Sequence, residues 1–518
     1  MILSQIPNNT TGRKKIFANV NSITNNNVKG VVETALLVHA ENVVDIEWLF
    51  QLYRGKDSVI DNRVREGANS EINHKAYVNY YSLIADYAAN LFMQRPIVYV
   101  NADGEEHVSE GLRKYGKIQR AINQYARDKT TAIHAAIAGV AYQFVELDKE
   151  NIIKTSVLSP SSVFSIYGDD TDDEPMAMVY ITQVNDVENS EIEGITGQTP
   201  NESLLLKKRY TVYTDNSIFE WVEGDDDVKE NPSLSWGCPI IEYKMNPFYI
   251  GSFERVTSLI HLLSLLKSDS VNGVVQSIAG ILLGKNIGIP MDDTGDDEET
   301  IKENEETRQL FRDQIKKFRQ LYIEDTKENP ASLEYITTEL FNADIDILYQ
   351  QTIKDITTIT KIPNSVINIG GSGNKGAAET ASGIPQALEN AQNAEPYWFE
   401  SKRIQTRKEL AIMHYEGVLK ELNIGDIDFA MQRTIAMDPV TSSQAYMNFI
   451  NAGVKPADAS RLTYLTADPE EWEKRVLEWR KQEDERRLDY ERNEIRLQES
   501  DGSDSETGTT DNETDNET

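Results

Sequence analysis

The chain has 518 residues, 39% of them apolar, and its 52 Lys and Arg against 85 Asp and Glu leave a net charge of −33. That length is expected to divide into two to four domains, and that charge opposes tight nonspecific binding to duplex DNA, which needs cations set against phosphates. The single cysteine, Cys238, rules out an intrachain disulfide and a multi-cysteine zinc site and suits a reducing compartment; no apolar run approaches the roughly 20 residues of a membrane span.

Residues 1–28 are rich in Asn, Thr, Lys and Gly, which predicts a loosely held arm. The opening MILSQIPNNTTGRKK has no apolar core of signal-peptide length. Residues 29–94 are predicted helical. Val43, Val44, Ile46, Leu49, Phe50, Leu52 and Tyr53 follow three-and-four spacing. A second helix is expected over Lys75–Met93, where Tyr77, Tyr80, Tyr81, Ile84, Tyr87 and Leu91 form an aromatic stripe that reads as core. Gln94-Arg95-Pro96 closes it, and Ile97–Val100 reads as a strand.

From Pro96 the texture is mixed α/β. Strands are predicted at Ala141–Leu147 and Ile152–Leu158 around a turn at 148–151, then at Ser159–Tyr167, Met176–Ile181, Arg209–Thr214 and Ser217–Val222. The acidic stretch Gly168–Glu174 reads as a solvated hairpin tip, because it lacks the ligand spacing and central Gly of a calcium loop.

Phe253, Val256, Ile260, Leu263 and Leu266 recur at helical spacing, and a helix over 253–276 would be about 36 Å long. Gly280–Pro290 reads as strand or turn, Asp292–Glu299 as an acidic loop, and Ile301–Leu321 as an amphipathic helix. Leu321–Glu324 and Leu333–Thr337 are predicted to pair as a hairpin. A helix over Ala343–Thr360 ends near Pro363, a glycine-rich stretch spans Gly370–Gly376, and a long helix runs from Ala377 past Arg407, with Pro385 and Pro396 expected to kink or break it. Residues 409–466 read as two or three short helices. The Asp468-Pro469 pair starts a helix to Leu497 with Trp472, Val476 and Trp479 in a stripe and with i,i+4 pairs such as Glu470/Lys474, Glu471/Arg475 and Glu483/Arg487. The last 20 residues hold eight acids and no base, which predicts disorder.

Gly371-Ser372-Gly373-Asn374-Lys375-Gly376 is a literal G-x-G-x-x-G, with Val366–Ile369 readable as a strand ahead of it. A dinucleotide fold needs that strand–loop–helix context so that backbone N–H groups approach a pyrophosphate. The surroundings oppose it. What precedes is helical, no β-α-β unit follows, and Glu395 lies beside Pro396 in a helix rather than at a strand end. The six histidines (His39, His74, His107, His134, His261 and His414) form no H-x-x-x-H pair, and no G-x-S-x-G elbow is present. No catalytic, cofactor-binding or metal-ligating residue is therefore assigned, and no enzymatic activity is expected; a dinucleotide-binding enzyme using Gly371–Gly376 stands as the last alternative.

Residues 51–100, from the Tyr53-Arg54-Gly55-Lys56 turn through Arg63 to the strand at Val100, resemble the opening of the wing in tailed-bacteriophage portal proteins, especially those of long-tailed phages of Gram-positive hosts. Gly139 to Tyr142 with Pro160 to Phe164 is similar to a wing pattern, Pro239–Asn246 to the strand before the stem, and Phe253–Val256 through Ser268-Asp269 to the first stem helix. Leu340–Pro363, Gly370-Gly371 and Ser382-Gly383 are similar to the segment leading into the tunnel helix. Ala378-Glu379-Thr380 ahead of Ser382, and Pro385, depart from the family pattern and leave the tunnel boundary open.

The resemblance implies an α+β, mostly helical portal fold. Its parts would be an N-terminal arm (1–28), a wing (29–252) with a return hairpin and helix (320–362), stem helices (253–276 and 299–319), a small clip (277–298), a tunnel loop and helix (363–404), a helical crown (405–498) and an acidic tail (499–518). It implies a ring of twelve copies at one capsid vertex, no cofactor and no membrane. Double-stranded DNA would pass through without sequence recognition. Partners would be the terminase large subunit, which supplies ATP hydrolysis, the major capsid and scaffolding proteins, and a head-completion adaptor. The compartment would be the virion, after assembly in the host cytoplasm. Gly371, Ser372, Asn374, Lys375 and Glu379 would line the channel; Phe253, Val256, Ile260, Leu263 and Leu266 would form the stem interface; Leu282, Lys285, Ile287 and Ile289 would belong to the clip. Another oligomeric head–tail protein, such as an adaptor, is the alternative in the same class, disfavoured because adaptors are small.

Overall fold

A computed structural model describes residues 12–20, 22–64, 72–102, 109–148, 152–168, 174–185, 206–279, 281–285, 332–336, 342–367, 375–433, 439–463 and 469–502, with isolated positions between 302 and 309. Strand β1 (Ile16–Phe17) precedes α1 (Val28–Tyr53), α2 (Ser58–Asp61), α3 (Tyr80–Phe92), β2 (Val98–Asn101), α4 (Glu110–Ala121) and α5 (Gln124–Ala138). Strands β3 (Val140–Leu147), β4 (Ile153–Leu158), β5 (Val163–Tyr167), β6 (Ala177–Asn185), β7 (Leu206–Tyr213), β8 (Ser217–Val222), β9 (Lys229–Pro232) and β10 (Ile240–Lys244) follow. A 3-10 turn (Glu254–Val256) leads into α6 (Thr257–Ala279), and β11 (Ile281–Lys285), β12 (Ser332–Ile336), α7 (Asn342–Thr360) and α8 (Asn364–Ile367) come next. The long α9 (Lys375–Tyr415), β13 (Ile427–Ala430), α10 (Pro439–Asn451), α11 (Pro456–Leu462) and α12 (Pro469–Gly502) complete the described order.

A six-stranded sheet has the order β1-β5-β6-β7-β8-β9, with β1 parallel to β5 and the other neighbours antiparallel. A second antiparallel sheet is β10-β3-β4. Helix α1 serves three cores, Ile46 packing with Val140 and Tyr142 in one of them, because its buried positions recur every three or four residues along its whole length. Val28, Val32 and Ala35 pack on the large sheet with Phe164, Val179 and Phe219. Trp48, Leu49 and Leu52 enter a helical core with Ile84, Ala132 and Val256. At the end of α5, Gly139 has φ +78°, and a Cβ there would lie 2.0 Å from the Tyr249 carbonyl oxygen, so only glycine lets the helix stop against that backbone.

Several elements depart from expectation. The expected loose arm is partly ordered: Ile16 is buried and β1 extends the large sheet. Helix α3 starts at Tyr80 rather than Lys75, because the Asn79 side chain caps it by accepting from the Ser82 N–H at 3.2 Å. The preceding residues lie against α6 instead. There the Ala76 N–H donates to Ser268 Oγ (3.0 Å) and the His74 N–H donates to Asn272 Oδ1 (2.7 Å). Strand β12 pairs with β11, Ile281 opposite Ile336 and Lys285 opposite Ser332. The segment expected in the clip and the segment expected in the return hairpin thus share one ladder; Leu321–Glu324, the partner expected for β12, falls outside the described residues.

Residues 409–466 contain a strand as well as helices. β13 pairs with β2, in the segment expected to be wing, and Leu422, Ile427 and Phe429 join the main core. The expected boundary at 404/405 falls inside α9. Pro385 and Pro396 both lie within α9 without ending it. The last helix begins at Pro469 as expected but runs to Gly502, so its end overlaps the tail expected to be disordered. Glu483 pairs with Arg486 one turn along at 3.9 Å.

Candidate functional site

Helix α9 has 41 residues, about 60 Å at 1.5 Å per residue. Lys375 opens it and Glu379 lies one turn in. Gly371, Ser372 and Asn374, the other expected channel residues, fall outside the described residues, as do Ile287 and Ile289. Leu282 and Lys285 lie on β11. The glycine run does not follow a strand, because Asn364–Ile367 is helical; the strand–loop–helix context of a dinucleotide site is overturned there.

The far half of α9 is clamped. Trp398 is fully buried, its ring 5.2 Å from Phe92 and 4.6 Å from Tyr243 between centroids. One turn on, Lys402 is also fully buried. Its Nζ lies 3.1 Å from both carboxylate oxygens of Asp128 and donates to Gln405 Oε1 at 3.0 Å. Gln405 Oε1 also accepts from the Tyr243 hydroxyl, while Gln405 Nε2 donates to Glu409 Oε1 at 2.7 Å. Glu409 Oε2 accepts from the Tyr115 hydroxyl (2.6 Å) and Gln119 Nε2 (2.5 Å). Asp128 accepts further from Gln124 (2.8 Å) and Gln143 (3.1 Å). Positions 402, 405 and 409 fall on one helix face, so α9 presents a buried polar seam to α4, α5, β3 and β10.

Burial raises the Glu409 carboxyl above its ordinary range, against the pull of the Lys402 ammonium. Burial beside Asp128 and Glu409 also holds the Tyr99 and Tyr243 hydroxyls well above theirs. For Tyr115 the added cause is its direct bond to Glu409. These tyrosines stay protonated, so Tyr115 and Tyr243 remain donors to the seam. Outside it, Arg407 reaches Glu174 at 3.0 Å, Lys244 reaches Glu400 at 3.3 Å, and Arg433 pairs with Glu395 while donating to the Leu91 carbonyl at 3.2 Å.

The head of α6 is tied as firmly. The Glu254 side chain is fully buried and accepts from Arg13 at 2.7 Å, from the Gly12 N–H at 3.2 Å and from the Gly251 N–H at 2.8 Å. Phe253, Val256, Ile260 and Leu263, expected at a stem interface, are fully buried in the chain's own core. They are covered already and unavailable to a neighbouring copy; Leu266 is half-buried. Val271 and Val274, further along α6, are exposed. Two sequence motifs far apart in the chain meet here, since Arg63 pairs with Asp269 at 2.6 Å.

Sequence reading missed Lys402, Gln405 and Glu409 because charged residues on a long helix read as its solvent face. The signal that could have found them is Trp398, which marks the buried face one turn earlier. Among the described residues no group of His, Cys, Asp and Glu is placed to hold a metal, and no helix is long and apolar enough to cross a membrane. Cys238 is buried, which pushes its thiol up to about 11. The arrangement is a long rod, clamped at one end by a buried polar seam.

The sequence model for the family described as "Phage portal protein, SPP1 Gp6-like" matches residues 37–382. No curated protein matches the chain. Among solved structures, a chain from the "Neck of empty GTA particle computed with C6 symmetry" is similar over 75% of this chain and 90% of its own, at 11% identity and a TM-score of 0.38.

Proposed function

This chain belongs to the phage portal protein family, SPP1 Gp6-like, and from that premise we propose that it closes into a dodecameric ring at one capsid vertex, the conduit through which double-stranded DNA is packaged and ejected. The ring docks the terminase on its outer side during packaging and a head-completion adaptor afterwards. The phage in this reading is a long-tailed phage of a Gram-positive host. The observation that carries the reading is the family match over residues 37–382, which spans the segments assigned to wing, stem, clip and the start of the tunnel helix.

The physical layout supports these roles. A ring needs a heterologous contact that closes by rotation. With the first stripe of α6 buried inside the subunit, the exposed Val271 and Val274 side of that helix is the part left to meet a neighbour. The clamp holds the far half of α9, the helix whose first turn carries Lys375 and Glu379 as part of the channel wall. The excess of 85 acids over 52 bases, repeated around a ring, gives a conduit to which phosphates do not adhere, so DNA slides without deep energy wells. Lys375 adds a ring of cations that touches phosphates transiently. Capsids assembled with and without this chain, supplied with terminase, ATP and linear DNA, test the role. Nuclease-protected DNA should appear only in capsids that contain the chain; equal protection without it would contradict the proposal.

A further inference from the structure

A cavity of about 460 Å³ lies where α3, the end of α5, the end of α7 and α9 meet. It stays hollow because small residues face it. Ala387, Ala391 and Ala394 form one stripe of α9, opposed by Ala88 of α3 and Ala136 of α5. Its volume falls within the ~300–1,000 Å³ typical of small-molecule sites. The lining is about half apolar, with Ile84 and Leu91 on that side, and half polar, and two cations, Arg255 and Lys361, belong to it. Neither cation has a hydrogen-bond or ion-pair partner among the described residues.

Lys361 is unusual in its backbone. It ends α7 with φ +56°, in the left-handed region where a helix terminus ordinarily places glycine. A side chain is strained there, yet the position carries a lysine, and that residue lines the cavity. Arg255 comes from the 3-10 turn at the head of α6 and is exposed. Exposed Asn390 and Asn393 supply further polar groups on the α9 side.

We propose that this cavity is a binding site for a small amphiphilic anion, an apolar body with a carboxylate, sulfate or phosphate head. The body fills the alanine-lined hollow, and the head pairs with Arg255 and Lys361. Such a ligand touches α3, α7 and α9 at once, so it stiffens the joint between the long helix and its neighbours. The site is a property of the single chain and does not rest on the channel role.

The probe is 1-anilinonaphthalene-8-sulfonate, titrated into the purified full chain by fluorescence, beside N-phenyl-1-naphthylamine, its uncharged twin. One saturable site per chain is expected for the sulfonate, with the uncharged twin at least about tenfold weaker, the scale of a charge-assisted contact. Arg255→Glu/Lys361→Glu should abolish that site. Lys361→Gly gives a second, opposite-signed readout: about tenfold weaker binding together with a higher unfolding midpoint, because glycine relieves the left-handed strain. A merely structural lysine would leave binding unmoved. The proposal is overturned if the two probes bind alike, if the variants keep wild-type affinity, or if assembled rings exclude a probe that dissociated chains bind, since a neighbouring copy would then be the occupant.

Discussion

Replacing Lys402 by Met tests the clamp directly. At 3.1 Å from both Asp128 oxygens, the ammonium interacts with the carboxylate by about 5 kcal/mol at an effective dielectric near 20. Its removal leaves Asp128, itself 2% exposed, as a buried charge with only the Gln124 and Gln143 amides to solvate it. Breaking one side of a buried pair costs about 3–5 kcal/mol, and Lys402→Met should lower unfolding stability by that amount. Adding Asp128→Asn removes the orphaned charge while its amide oxygen still accepts from both glutamines. The double variant should therefore recover at least about half of the loss. Urea unfolding followed by near-UV circular dichroism reads both changes. A single-variant cost below about 1 kcal/mol, or a double variant as damaged as the sum of the singles, would refute the clamp as an energetic unit.

His39 makes the fold acid-sensitive. Its ring is 3% exposed, lies 4.3 Å from the Phe164 ring and donates from Nε2 to the Ser161 carbonyl at 3.2 Å, and burial lowers its pKa from 6.5 to about 4. The unfolded chain takes up this proton near pH 6.5 while the folded chain resists it to about 4, so stability falls as pH falls through that window, by about 3 kcal/mol in total. His39→Phe should flatten this slope at a cost of about 1 kcal/mol near neutrality for the lost hydrogen bond; an unchanged slope in pH-dependent denaturation would reject the assignment. His134, also lowered by burial, should account for a residual slope in the same direction. Lys375→Ala should change packaging velocity and weaken its salt dependence in a single-particle packaging assay, and no change in either would remove the phosphate-contact role.

Legibility followed the range of the interactions. Strand β8 spans the expected Ser217–Val222, and α7 begins one residue before the expected start, because alternation and helical spacing are local signals. The start of α3 was hidden because Tyr77 continues the aromatic period while Ser268 and Asn272, almost two hundred residues away, take the backbone groups instead. The pairing of β11 with β12 was hidden in the same way; a nearest-neighbour hairpin is the natural sequence reading, and only tertiary structure supplies the distant strand. Strand β9, Lys229-Glu230-Asn231-Pro232, has no apolar alternation and is held as a polar sheet edge. Motif order pointed to the family, and Arg63 with Asp269 proves to be one contact. The seam at Lys402, Gln405 and Glu409 was invisible because its logic lies in partners on α4, α5 and β10, not in its own spacing.

Native mass spectrometry of the purified chain, paired with end-on electron-microscope images of the same sample, bears most directly on the central claim. A closed assembly of twelve chains around an opening wide enough for duplex DNA is the predicted result. A monomer, or an assembly with no central opening, would contradict it.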